Sequence, residues 1–73
     1  MAKMTEAEAK RRLKACGWRL DWCQRVWGRP GWWKAAAHLL DQGASLYVKG
    51  KGQKGDVLED LVTRIEAMEA DRG

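Results

Sequence analysis

Phenylalanine is absent from this 73-residue chain, and proline and histidine occur once each, as Pro30 and His38. Without phenylalanine the aromatic core falls to five tryptophans, each able to bury about 150–250 Å². One histidine and two cysteines, Cys16 and Cys23, leave a four-ligand zinc site short of donors, so no metal or other cofactor is expected. The same scarcity leaves no cysteine–histidine spacing of a known catalytic signature. No apolar run approaches the roughly 20 residues of a membrane span, and the opening MAKMTEAEAKRR lacks the apolar centre of a signal peptide. The expectation is a cytoplasmic protein with no membrane contact, whose cysteines stay reduced and serve as small buried hydrophobes.

The length fits one domain, 1–73, with residues 1–4 and 71–73 expected to fray. A core of this size supplies only about 3–5 kcal/mol, a shortage that a homodimer or a permanent partner would relieve.

The helical signals begin at Thr5-Glu6-Ala7-Glu8, a capping box in which the threonine oxygen accepts from the third helical amide and Glu8 reaches back. A helix is predicted from Glu6 to Cys16, with Ala9, Leu13 and Cys16 on one face and Gly17 as its stop. A second is predicted from Arg19 to Trp27, on the spacing of Leu20, Cys23, Val26 and Trp27, and it ends at Gly28-Arg29-Pro30-Gly31. A third is predicted from Gly31 to Gln42, with Trp33, Ala36, Ala37 and Leu40 as its stripe. Leu46 and Val48 alternate with Ser45 and Tyr47 as a short strand, whose return would lie near residues 53–55. The last helix is predicted from Asp56 to Ala70, since Leu58, Leu61, Val62, Ile65 and Met68 repeat at three and four. The fold class expected is therefore mainly α: about four helices, with one short β-hairpin or loop between the third and fourth.

Charge is unevenly placed. Residues 1–34 hold nine bases against three acids, residues 49–54 add three lysines, and residues 55–73 hold two bases against six acids. The chain as a whole carries +4. In SLYVKGKGQKGD, residues 45–56, glycines separate Lys49, Lys51 and Lys54, so a bent backbone can present three cations to an anionic partner. The segment is no phosphate-cradling P-loop, because Gly50 to Gly55 is followed by Asp56 rather than by lysine and a hydroxyl residue. Catalysis is not expected.

A helix, a Gly-Arg-Pro-Gly turn, a helix and a lysine–glycine hairpin, spanning residues 19–55, resemble the layout of a winged helix-turn-helix domain. The resemblance implies a DNA-binding role in which Lys34, His38 and Gln42 face bases, Lys49, Lys51 and Lys54 neutralise phosphates, and Arg25 and Arg29 hold the backbone. Residues 38–62, HLLDQGASLYVKGKGQKGDVLEDLV, are also similar to the second half of an ankyrin repeat, through Leu39, Leu40, Gly43, Ala44 and Lys49. That likeness implies protein binding.

The expected function is a small non-enzymatic regulatory or accessory protein that engages nucleic acid or a nucleoprotein through Arg11, Arg12, Arg25, Arg29, Lys34, His38, Lys49, Lys51 and Lys54. The alternative is a protein-binding adaptor or inhibitor, of the kind that phages and mobile elements encode, docking on a host protein through Trp32, Trp33 and Tyr47. Tryptophan and arginine are the side chains most enriched at interface hot spots.

Overall fold

In the computed structural model, which describes residues 3–41 and 43–72, the element order is α1 (Glu6–Ala15), β1 (Trp18–Arg25), β2 (Trp32–Leu39), β3 (Ser45–Lys51) and α2 (Lys54–Arg72). The strands form one antiparallel sheet in the order β1-β2-β3. Both helices pack on one side of it: α1 lies against β1 and α2, while α2 crosses all three strands. The fold is α+β. No helix is long and apolar enough to cross a membrane among the described residues.

The mainly α expectation is corrected at two of its four helices: residues 19–27 and 31–42 hold strands β1 and β2. The Gly-Arg-Pro-Gly turn accordingly joins two strands. The expected hairpin is also repaired, since β3 pairs with β2 and residue 54 already begins α2. Gln42, with its expected helix end and base contact, lies outside the described residues, as do residues 1, 2 and 73 of the termini expected to fray. Met4 is buried in the core, and α2 runs to Arg72.

A β-bulge explains the misleading spacing in β1. Trp18 and Leu20 pair with Leu39 and Ala37 and point toward the helices. Asp21 is then left out of the register, and Trp22 pairs with Ala36 while Cys23 pairs with Ala35. One extra residue converts a strand's period of two into an interval of three between Leu20 and Cys23, which reads as helix. In β2 the inward residues Trp33, Ala35, Ala37 and Leu39 alternate strictly, but the AAA run is rich in helix-forming alanine, and tertiary pairing overrides that propensity.

The core lies between the layers. Ala35 and Ala37, both fully buried, are small enough to let α2 settle on the central strand through Leu58, Leu61, Val62 and Ile65. Leu13 and Ala9 close the side beneath α1. Trp18 is the largest buried side chain, 1 % exposed, and its indole Nε1 donates to Glu69 Oε1 at 3.0 Å, which satisfies its one polar atom. At the start of α1, the Glu8 amide donates to Thr5 Oγ1 at 3.1 Å, the expected cap. At the start of α2, Asp56 Oδ2 accepts from the Gln53 amide at 2.8 Å, so the cap sits at Gln53 and the helix begins before the expected Asp56. Gly55 is required by proximity: a Cβ there would lie 3.0 Å from the Met4 carbonyl oxygen, where the N-terminal segment crosses α2.

Candidate nucleic-acid interface

The sheet face turned away from the helices has no layer over it among the described residues. Register fixes what it carries. Trp22, Ala36 and Tyr47 form one row across the three strands, Gln24, Lys34 and Lys49 the next, and Trp32 with Lys51 a third. At the other end stand Arg19, His38 and Ser45. Side chains on one face of a strand recur every two residues, so successive rows lie about 6.6–6.8 Å apart.

The bulge at Asp21 builds this surface. It turns Trp22 outward, and its own carboxylate reaches His38 Nδ1 at 2.6 Å. Ala36, the small central member of the row, leaves room for Trp22 and Tyr47 to meet across it edge to face, with centroids 5.8 Å apart. Lys34 Nζ lies 5.7 Å from the centre of the Trp22 ring, and the Arg29 guanidinium lies 5.4 Å from that of Trp32. Tyr47 is 53 % exposed.

Beyond Arg25 the β1–β2 connection is held by the Val26 amide donating to the Trp32 carbonyl at 3.0 Å, and by the Gly52 amide donating to Gly31 O at 2.7 Å. Gly28 and Gly31, at φ 76° and 80°, make its two turns. This loop holds Arg29 over Trp32 and places Trp27, 96 % exposed, at its tip.

The electrostatics divide by layer. On the helical layer the cations other than Lys14 meet carboxylates: Lys3 with Asp56, Lys10 with Glu6, Arg11 with Glu8, Arg12 with Glu66, Lys54 with Glu6, Arg64 with Asp60 and Arg72 with Glu69. Hydrogen bonding to Lys54 holds the Glu6 carboxyl below its ordinary range, and Lys3 does the same for Asp56. Arg19, Arg29, Lys34, Lys49 and Lys51, on or beside the open face, have no carboxylate partner among the described residues. These five cations less Asp21 equal the chain's whole net charge of +4, and the other nine bases and nine acids cancel.

The expected nucleic-acid residues are thus brought together only in part. Lys34, His38, Lys49 and Lys51 share the open face, with Arg29 at its rim. Arg25 sits at the end of β1, its guanidinium 5.4 Å from the Trp33 ring centre. Arg11, Arg12 and Lys54 belong to the helical layer and are ion-paired. Of the expected protein-binding residues, Trp32 and Tyr47 lie on the open face, whereas Trp33 points the other way and packs against the core. Sequence reasoning missed Trp22, Gln24 and Arg19; alternation through Trp18 and Leu20 was the available signal, and the bulge interrupts it.

Burial raises the thiol pKa of both Cys16 and Cys23, which disfavours the reactive thiolate. Among the described residues no three histidine, cysteine or acidic side chains come together as a metal site. No protein-family model matches the chain, and neither a curated protein nor a solved structure is significantly similar to it, so the functional reading rests on the geometry of this face.

Proposed function

We propose that the chain is a small non-enzymatic regulatory or accessory protein that binds nucleic acid, free or within a nucleoprotein, through the open face of its sheet. The observation that carries this reading is the coincidence of the entire net charge with the sheet face that no helix covers among the described residues. Lysines and arginines without carboxylate partners are available to phosphates, and each contact formed releases a condensed counterion. Cys16 and Cys23, both free thiols, suit a reducing setting such as the cytoplasm.

The test is anisotropy with a labelled random-sequence duplex and a labelled single strand at about 50 and 200 mM salt. Five phosphate contacts give a log–log slope of about 3.5–4.5, or an affinity loss of about 100–500-fold over that range. Replacing Lys34, Lys49 and Lys51 together with glutamine lowers the slope by about 2–3. Absence of binding to both probes at the lower salt overturns the proposal, as does a triple variant that binds like the parent.

The exposure of Trp27 favours a second reading, in which the β1–β2 loop docks on a protein as an adaptor or inhibitor would. Under it, Trp27→Ala abolishes a protein complex that salt scarcely affects.

A further inference from the structure

The open face carries information about which form of nucleic acid fits it, given that nucleic acid is the ligand. A duplex keeps its bases stacked on each other and offers phosphates and groove edges, which are read by hydrogen-bonding side chains. This face is built otherwise. Its centre is the Trp22–Tyr47 pair, and Trp32 stands two rows away with the Lys34–Lys49 row between. Aromatic rings give a base a π surface and no hydrogen-bond pattern. Neighbouring rows lie about 6.6–6.8 Å apart, twice the roughly 3.4 Å axial rise per base of a duplex strand, so bases seated on rings in different rows are splayed from one another.

The cations are also placed for exchange. Lys34 rests over Trp22 and Arg29 over Trp32, each on a long flexible stem. When a base arrives at the ring, the cation has a phosphate to move to, so stacking and charge pairing replace the cation–π contact together.

We propose that the nucleic acid is single-stranded, with bases stacked on Trp22, Tyr47 and Trp32 and phosphates held by Lys34, Lys49 and Lys51. The inference rests on the nucleic-acid reading of the open face, and charge complementarity identifies the occupant: this face holds the whole net positive charge.

The experiment compares a labelled oligothymidylate of about 20 nucleotides, longer than the roughly 4–16 that one small binding module covers, with a random duplex of the same length. Single-strand affinity at least tenfold above duplex affinity is expected. Trp22→Ala and Tyr47→Ser should each weaken the single-strand complex by about 5–150-fold, and by more than they weaken the duplex complex, while Trp22→Tyr, which keeps a stacking ring, should restore most of the loss. Circular dichroism and the thermal midpoint verify that each variant folds; Tyr47, more than half exposed, keeps the test available if Trp22→Ala does not. Equal or tighter binding of duplex, or single-strand binding indifferent to Tyr47→Ser, refutes the stacking inference and leaves nucleic-acid binding standing. Failure of both probes to bind removes both.

Discussion

Replacing Ala37 with threonine is expected to cost far more stability than the same change at Ala36, one residue away. Ala37 is fully buried beneath the helices, whereas Ala36 is half-buried on the open face between Trp22 and Tyr47. At position 37 the new hydroxyl has no partner, a loss of about 1–3 kcal/mol, and the added volume strains the close contact with α2 by about 1–3 kcal/mol more. At position 36 the hydroxyl stays within reach of water and the β-branched side chain suits a strand, so the change stays within about 0.5 kcal/mol. A 73-residue domain has only about 4–11 kcal/mol in total, at about 0.05–0.15 kcal/mol per residue. With a urea slope of about 1 kcal/mol/M, Ala37→Thr lowers the unfolding midpoint by about 2 M or more, while Ala36→Thr scarcely moves it. Tryptophan fluorescence reports the transition. A helical stripe through residues 36 and 37 would make both substitutions comparably harmful, and equal midpoint losses would refute the assignment of faces on β2.

Glu69→Ala leaves the Trp18 indole N–H buried without its acceptor, at an expected loss of about 1–3 kcal/mol in chemical denaturation; Glu69→Gln, which keeps an acceptor oxygen, should retain most of the stability. Gly55→Ala should destabilise by about 1–3 kcal/mol, because the Met4 backbone must move away from the start of α2, and an unchanged thermal midpoint would contradict that close approach. The Glu6 and Asp56 carboxyls are held below their ordinary values of 4.5 and 3.8, chiefly by hydrogen bonds to Lys54 and Lys3. Their contribution is therefore complete above about pH 4.5 and is lost as pH falls through the lowered folded values, which a thermal-midpoint series from neutral to acid pH checks against the Glu6→Gln, Asp56→Asn double variant. An identical acid decline in that variant would assign the effect to other groups.

The elements at both ends of the chain are legible from their residues. Thr5 and Glu8 announce α1, the repeat of Leu58, Leu61, Val62 and Ile65 announces α2, and Leu46 with Val48 announces β3. The middle is not, because β1 hides its alternation behind the Asp21 bulge and β2 is written in alanine, whose local preference the sheet overrules. The candidate site was legible as composition rather than as geometry. Lys34, Lys49 and Lys51 can be picked out as cations near glycine and tryptophan, but only strand pairing brings them into adjacent rows. Trp22 needs the bulge to reach the surface, and no period detects a residue that breaks the period. Arg11, Arg12 and Lys54 look equivalent to the others in sequence, and they differ only because folding sets acids beside them.

The Asp21 bulge has a bearing on self-assembly as well. A three-stranded sheet leaves both β1 and β3 as edges, each a template on which another copy could add its own strand. On β1 the unpaired residue interrupts the regular line of amides and carbonyls, and Arg19, Asp21 and Arg25 charge its border. On β3 Lys49 and Lys51 do the same. Growth of one sheet into the next is opposed at both borders, so a chain whose strands contain no proline is guarded against fibre formation by one misfitting aspartate and a fringe of like charges.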